Sequence, residues 1–137
     1  MPKATILLVE DSKIQRMQSE RILSKAGYTV LNANDGEQAL QLARANLPDL
    51  ILLDMLLPKL GGEQVLQMLK ADAATAHIPV IALSGLTQSN EAKLMQAGAA
   101  GYFEKSRFEG MGQEALLNML QRVLRESKPT KQAIAGA

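Results

Sequence analysis

Four short apolar runs of the chain each end on a side chain that can do chemistry. ILLVED ends on Glu10 and Asp11, LILLD on Asp54, VIALS on Ser84 and GYFEK on Lys105. If these runs are parallel strands, their carboxyl ends meet at the edge of the sheet where open α/β folds bind ligands. The sequence therefore predicts one site that holds three carboxylates, one hydroxyl and one ammonium.

The predicted carboxylate cluster points to a cation. Glu10, Asp11 and Asp54 at close range would repel one another unless a positive charge lay among them. Mg²⁺, or Mn²⁺ in its place, prefers oxygen ligands and usually takes one or two carboxylates together with waters and a phosphate group. The cluster thus predicts a metal site that also binds phosphate. A single acidic pair at a strand end is more often a solvated turn, and it is the three matching strand ends that favour a site.

Asp54 is the candidate nucleophile, because a carboxylate can accept a phosphoryl group as an acyl phosphate. The alternative role is a turn cap, but the following MLLPKLGG contains proline and glycines, which favour a tight, rigid loop. Lys105 would bind the incoming phosphate as a point charge. Ser84 would offer it a hydroxyl, and Gly85 would keep the approach open. Without such a site, Lys105 would be one more surface cation and Ser84 a loop cap.

Apolar runs that alternate with segments of helical period predict five repeated β/α units. The predicted strands are Thr5–Val9, Tyr28–Asn32, Leu50–Leu53, Val80–Leu83 and Gly101–Phe103. The predicted helices follow Ser12, begin at Asn34 or Asp35, span Gly61–Lys70 and Ser89–Ala97, and place Leu116, Leu120, Val123 and Leu124 on one face. The third strand is apolar throughout, which is typical of a central parallel strand.

Composition limits the classes of function. The 137 residues suit one domain, and 15 Lys and Arg against 14 Asp and Glu give no electrostatic case for nucleic acid. The chain has no cysteine, which excludes disulfides and thiolate chemistry and fits a reducing compartment. The apolar stretch near the N-terminus is too short for a signal peptide or a membrane span. We therefore expect a cytoplasmic protein without nucleic-acid or membrane partners.

The last residues differ in composition from the rest of the chain. From about Glu126 the apolar period gives way to SKPTKQAIAGA, which contains proline, small residues and lysines. We predict one domain over residues 1–125 and a flexible C-terminal tail over 126–137.

Taken together, the motifs resemble the receiver domain of bacterial two-component response regulators. The resemblance covers residues 4–125 and rests on VEDS, LLDMLLPKLGG, ALSG and GAAGYFEK. Each motif is weak alone, but their joint order and spacing are highly specific. The resemblance implies an α/β fold of flavodoxin-like type, a doubly wound (βα)5 arrangement whose five parallel strands have the order 2-1-3-4-5. It also favours the stand-alone, chemotaxis-regulator-like type, without a DNA-binding domain.

The resemblance also assigns roles at the acidic cluster. In this family the residue that matches Asp54 is phosphorylated by a histidine kinase or a phosphotransfer protein. Asp11 and Asp54 resemble the direct magnesium ligands, with the backbone carbonyl of Leu56 as a further ligand and Glu10 acting through water. The transfer is self-catalysed, so the protein would not be an enzyme acting on other substrates.

The remaining implied roles concern the phosphoryl group and the response to it. Ser84 and Lys105 match the family's phosphate contacts, and the backbone of Leu56 and Gly85 is expected to contact the same group. Tyr102 matches the switch aromatic, although a half-buried tyrosine at a sheet edge is also an ordinary feature. Movement of Ser84 and Tyr102 would reshape the surface of the fourth helix, fifth strand and fifth helix, where a downstream protein would bind. We expect a monomer or a weak homodimer.

Three features depart from the family pattern. Ser106 follows Lys105 where proline is usual, and we expect a trans bond because a cis bond there would cost about 2.5–4 kcal/mol. Leu56 and Leu86 flank the expected phosphoryl group and would hinder an attacking water, which predicts slow self-dephosphorylation. Glu10 stands where many relatives have aspartate, which lengthens its reach towards a metal-bound water.

Other classes of protein fit the residues less well. A flavin module would need a hydroxyl- and glycine-rich loop after the first strand, where this chain has two carboxylates. A phosphatase of the haloacid dehalogenase type would need an acid at Leu56. A phosphorylation-independent scaffold, or a relay or sink for phosphoryl groups, stays open as an alternative.

Overall fold

The computed structural model describes residues 4–85, 91–105 and 112–136, with side chains described up to residue 127. Its strands are β1 (Thr5–Val9), β2 (Thr29–Ala33), β3 (Leu50–Asp54), β4 (Val80–Ser84) and β5 (Gly101–Glu104). Its helices are α1 (Lys13–Lys25), α2 (Gly36–Asn46), α3 (Gly62–Ala71), α4 (Glu91–Gln96) and α5 (Gly112–Gly136). The alternation of strands and helices confirms the predicted β/α units.

The five strands form one parallel sheet in the order β2-β1-β3-β4-β5, as predicted. Val9 of β1 lies opposite Leu53 of β3, and Asp54 lies opposite Leu83 of β4. Because this register places the carboxyl ends of the three central strands side by side, residues far apart in sequence share one edge of the sheet. The predicted topology of the site is therefore confirmed.

The central strands are buried because both faces of the sheet are covered. Every residue of β3 and β4 is buried, which explains the unbroken apolar runs that end in Asp54 and Ser84. One core cluster includes Leu7, Ile51 and Leu53, and the other, on the opposite face, includes Leu52 and Phe103. Helix α5 contributes Leu116, Leu120 and Val123 to this second cluster. The sheet is thus a rigid support for its own carboxyl edge.

Several helix ends follow directly from local sequence. Ser12 accepts a hydrogen bond from the backbone N–H of Gln15 and caps α1, and Asp35 accepts one from Gln38 and caps α2. Gly27 and Gly98 have φ of 100° and 112°, so each ends a helix in the left-handed region that glycine tolerates. Of the two predicted starts for α2, the structure selects Asp35.

The predicted element boundaries differ from the observed ones by one or two residues. Strand β2 begins at Thr29 rather than Tyr28, and α3 begins at Gly62 rather than Gly61. Helix α4 is described over Glu91–Gln96, and residues 89–90, where its start was predicted, lie outside the described residues. The reason for such small shifts is that ladder and helix hydrogen bonds, rather than composition, define where an element ends.

Helix α5 continues to Gly136, beyond the residue at which the apolar period ends. The flexibility of residues 126–137 stays a prediction. Once a helix has formed, each added residue except Pro129 gains a hydrogen bond without a new nucleation cost, and Ala, Lys and Gln in this segment favour that extension. The loss of apolar period after Leu124 therefore marks the end of core packing and not the end of the helix. The domain boundary at residue 125 stays a prediction.

Within the described part of the chain, no helix combines the length and the apolar character that a membrane crossing requires.

Candidate phosphoacceptor and metal site

A cleft of about 660 Å³ opens at the carboxyl ends of β1 and β3, beside the end of β5. Its walls come from the β1–α1 turn, the first turn of α1, the end of β3 with the loop that follows, and the residues after β4 and β5. The lining residues are Glu10, Asp11, Ser12, Gln15, Asp54, Leu56, Leu57, Pro58, Gly85 and Lys105. Most of the side chains predicted from the strand ends are therefore brought together.

The three acids of the cleft meet at close range. Ligand oxygens of Glu10, Asp11 and Asp54 all lie within 4.8 Å of one another. Glu10 and Asp54 are only 1% and 2% exposed, whereas Asp11 lies at the surface. Oxygen donors from three carboxylates suit a hard divalent ion such as Mg²⁺, and the open side at Asp11 leaves room for water ligands. The donor set of this structure thus fits a magnesium site.

Asp54 is held from both sides. Its Oδ1 accepts a hydrogen bond of 3.0 Å from the backbone N–H of Leu56, and its Oδ2 accepts one of 3.0 Å from Lys105 Nζ. The side chain of Leu56 itself is 81% exposed at the rim of the cleft. These contacts fix the carboxylate in the floor of the cleft, facing the space where a ligand would enter.

Lys105 is the cation of the site. Its Nζ lies 2.6 Å from Glu10 Oε1, 3.0 Å from Asp54 Oδ2 and 2.5 Å from Gln15 Oε1. Burial alone would lower the pKa of Lys105, but its contacts with Glu10 and Asp54 outweigh burial and raise this pKa above its ordinary value. The ammonium is therefore charged, as the predicted role in phosphate binding requires.

Glu10 is a buried acid in a strained electrostatic position. Desolvation by burial raises the pKa of Glu10, the contact with Lys105 lowers it and the nearby Asp54 raises it, and the net result is a pKa of about 7. Its contact with Lys105 is an ion pair of 2.6 Å, and Oε1 accepts no hydrogen bond of standard geometry within the described residues. Its Oε2 accepts a hydrogen bond of 3.2 Å from the Ser12 N–H, and its carbonyl accepts one from Arg16. A buried carboxylate oxygen that lacks a good donor is what a metal or its water would satisfy.

The loop after β3 returns to the sheet through Gly62. A Cβ at this position would lie 2.5 Å from the carbonyl oxygen of Asp54 and 2.5 Å from the Cα of Met55. The Gly62 N–H donates to the Met55 carbonyl at 3.3 Å, which closes the loop. The GG pair at the end of the loop is therefore partly explained by packing, because α3 begins in contact with the backbone of Asp54 and Met55.

The predicted residues of β4 and β5 lie next to the cleft in different ways. Ser84 is 1% exposed at the end of β4 and does not line the cleft, whereas Gly85 does line it. A Cβ at Gly85 would meet nothing within 4 Å, so its approach side is open as predicted. Tyr102 is half-buried and packs against one of the core clusters. Its role as a switch stays a prediction, as do the phosphate contacts of Ser84.

Two of the predictions concern residues that lie outside the described part of the chain. These are the effect of Leu86 on dephosphorylation and the trans bond between Lys105 and Ser106. Conversely, the sequence analysis did not identify Gln15 as a site residue. The only signal available was its place in the first helical turn after the VEDS motif.

Comparison with known proteins agrees with the geometry of the cleft. Residues 6–121 match the model of the response regulator receiver domain. The chain belongs to this family.

Two curated relatives illustrate the closeness of the match. The chain is 36% identical over 106 residues to the polar-differentiation response regulator DivK of Brucella anthropi, with 77% of this chain and 85% of that protein aligned. It is 34% identical over 102 residues to the DivK of Brucella ovis, with 74% and 83% aligned.

Solved structures show the same fold. The receiver domain of a sensor histidine kinase of Pseudomonas aeruginosa PAO1 has a TM-score of 0.79 and 33% identity, over 88% of this chain and 97% of that one. That structure has a magnesium ion coordinated in its active site cleft. A response regulator receiver domain protein of Clostridium thermocellum has a TM-score of 0.77 and 26% identity, over 96% and 99% of the two chains.

The raised pKa of Glu10 predicts how the stability of the metal-free protein depends on pH. The pKa of Glu10 is about 7 in the folded state, against an ordinary value of 4.5. Protonated Glu10 therefore contributes its full stabilisation of the folded state below pH 4.5, and this contribution is lost as pH rises through about 7. Glu10→Gln cannot ionise at this position. We therefore expect its free energy of unfolding to rise by about 1–3 kcal/mol relative to that of the wild type over this pH range. Urea unfolding in EDTA at several pH values measures the difference. A difference that does not change with pH would contradict the expectation.

Proposed function

We propose that the protein is a phospho-acceptor module of a two-component system, in which Asp54 accepts a phosphoryl group from a histidine kinase or a phosphotransfer protein. The observation that carries the proposal is the carboxylate of Asp54 on the floor of the cleft, fixed by the Leu56 N–H and by Lys105. The proposal places this phosphotransfer in the cytoplasm, which suits a chain without cysteine.

The residues that would hold Mg²⁺ are Asp11 and Asp54, with the Leu56 carbonyl as a further ligand and Glu10 through water. When bound, the metal supplies charge neutralisation for phosphate oxygens and for the carboxylates. The difference in burial between the acids supports this division, since Asp11 faces solvent and Glu10 lies deep in the cleft.

The chain's own residues supply the positioning. An oxygen of the Asp54 carboxylate attacks phosphorus in line; the new O–P bond forms as the N–P bond to the donor histidine breaks and its electron pair returns to the imidazole. Lys105 is placed to neutralise charge on the transferring group, because its Nζ already lies 3.0 Å from Asp54 Oδ2. Backbone N–H groups near Leu56 and Gly85 are the proposed contacts for the phosphate oxygens.

The acyl phosphate then acts as the signal. The phosphoryl group carries roughly 1.5–2 negative charges at a buried position where the carboxylate carried one. In the proposal, the Ser84 hydroxyl moves towards this charge and Tyr102 fills the space that it leaves. The result is a shift between two states of the surface formed by α4, β5 and α5, which binds a downstream protein.

The transfer and its reversal are self-catalysed in this proposal, and the protein turns over no other substrate. The exposed Leu56 side chain at the rim of the cleft supports slow hydrolysis, since an apolar group there offers no hydrogen bond to an attacking water. The phosphorylated protein should therefore persist for longer than seconds.

Intact-mass spectrometry after incubation with acetyl phosphate tests the proposal. We expect a single phosphoryl adduct on the wild type with Mg²⁺, none with EDTA, and none on Asp54→Asn under either condition. Asp35→Asn is the matched control, because asparagine also caps a helix, and it should be phosphorylated like the wild type. An adduct on Asp54→Asn would assign the acceptor to another residue. No adduct on the wild type would favour the phosphorylation-independent scaffold.

A further inference from the structure

The ammonium of Lys105 has a third partner that the two carboxylates do not account for. It donates a hydrogen bond to the side-chain oxygen of Gln15 at 2.5 Å, in addition to its contacts with Glu10 and Asp54. A lysine ammonium has three protons, so its hydrogen bonds to Gln15 and Asp54 leave one proton towards Glu10, with which it forms an ion pair. The direction of the ammonium is therefore set by three points, of which one is a neutral amide.

Gln15 is itself placed by the start of α1. Its backbone N–H donates to Ser12 Oγ at 3.4 Å, and the Ser12 N–H donates to Glu10 Oε2 at 3.2 Å. The Arg16 guanidinium donates to the Glu10 carbonyl at 3.2 Å, which ties the same helical turn to the end of β1. The first turn of α1 therefore holds the Gln15 amide at the wall of the cleft, 90 residues away from Lys105 in sequence.

We infer that Gln15 is a positioning residue that holds the Lys105 ammonium at the wall of the cleft for phosphoryl transfer to Asp54. This inference rests on the proposed function of the site.

The chemistry of the three acceptors explains why the amide matters. Glu10 and Asp54 are the groups that a cation or a phosphoryl group engages, so their oxygens change partners during the reaction. The amide of Gln15 carries no charge and competes less for a cation, so it stays available to Lys105 throughout. Without it, the ammonium has only the carboxylates to direct it and turns away from the path of the incoming phosphoryl group.

Gln15→Met tests this role, because methionine has a similar length and no oxygen acceptor. We expect the rate of phosphorylation by acetyl phosphate with Mg²⁺ to fall about three- to fivefold, less than the roughly tenfold that a buried hydrogen bond to a charged group would give, because Gln15 is exposed. In a Lys105→Met background, Gln15→Met should have no further effect. Gln18→Met, at another exposed position of α1, is the matched control and should keep the wild-type rate.

A second readout does not depend on activity. In metal-free ¹⁵N-labelled protein, the ammonium signal of Lys105, assigned by its absence in Lys105→Met, should shift and exchange faster with water in Gln15→Met. Gln15→Glu keeps an oxygen acceptor and should keep the slowly exchanging signal. Gln18→Met should leave the signal unchanged.

The outcomes separate this inference from the proposed function. An unchanged Lys105 signal in Gln15→Met, or a changed signal with a wild-type rate of phosphorylation, would overturn the role of Gln15. Phosphorylation of the wild type in the same experiment would still support the proposed function. A wild type that takes no phosphoryl group would overturn the proposed function and the positioning role together. A shifted, faster-exchanging Lys105 signal together with slower phosphorylation in Gln15→Met, and neither change in Gln18→Met, supports the inference.

Discussion

Gly62→Ala is expected to lower the free energy of unfolding by about 3 kcal/mol. The added methyl group would lie 2.5 Å from the Asp54 carbonyl oxygen and from the Met55 Cα, both of them backbone atoms. Overpacking in a core costs typically 1–3 kcal/mol, and the upper end applies where no flexible side chain can move aside. Urea-induced unfolding, followed by far-ultraviolet circular dichroism, measures the loss.

The neighbouring glycine provides the control for this substitution. A Cβ at Gly61 would meet nothing within 4 Å, and its φ of −66° is ordinary for alanine. Gly61→Ala should therefore cost less than about 1 kcal/mol, mainly through the weaker preference for alanine at a helix N-cap. Equal destabilisation by the two substitutions would show that loss of backbone freedom, rather than the contact with β3, is responsible.

Gly62→Ala should also affect the chemistry of the site. Relief of the clash requires the start of α3 to move away from the end of β3, and the Leu56 N–H that holds Asp54 Oδ1 lies in the loop between them. We expect the fraction that remains folded to be phosphorylated more slowly than the wild type. Gly61→Ala should keep the wild-type rate.

Lys105→Met is the second substitution with a large expected effect. It removes the cation that lies between two carboxylates whose side chains are only 2% and 3% exposed, while the Lys105 side chain is 16% exposed. Loss of one partner from a buried pair costs about 3–5 kcal/mol. Proton uptake by Glu10 limits this cost, so we expect about 2 kcal/mol in EDTA at neutral pH.

The exposed ion pair between Lys93 and Glu63 offers a matched control. Its atoms lie 3.3 Å apart, but the two side chains are 64% and 37% exposed. Lys93→Met should change stability by less than about 0.5 kcal/mol, because solvent screens such a pair. Saturating Mg²⁺ should reduce the difference in the free energy of unfolding between Lys105→Met and the wild type, since both would then hold a cation among the carboxylates. Wild-type stability of Lys105→Met in EDTA would contradict the role of Lys105 as the counter-ion.

The fold was predictable because the strands can be recognised in the sequence. Runs such as LILLD are apolar on both faces, which only a covered parallel strand requires, and the reactive residues come directly after them. Parallel strands bring their carboxyl ends to one edge, so the positions of Glu10, Asp54 and Lys105 relative to one another followed from topology. The structure confirms that these three side chains meet.

The details that were not predictable depend on packing rather than pattern. Glu10 and Asp11 are neighbours of the same chemical type, yet one is buried and the other is exposed, because successive residues at a strand end point in different directions. Gln15 reaches Lys105 only because α1 packs where it does. The continuation of α5 beyond residue 125 was not predicted, because the apolar period ends there and Pro129 would ordinarily interrupt a helix.

The Lys105 ammonium of the cleft has a consequence for the stability of the metal-free protein. Since Lys105 partly balances the buried acids in the absence of metal, the native state has its own internal counter-ion. The chain can therefore fold without a metal ion, and under the proposed function a loss of Mg²⁺ would stop phosphorylation while the fold is kept. In that proposal Mg²⁺ controls the chemistry of Asp54 and Lys105 maintains the stability of the fold.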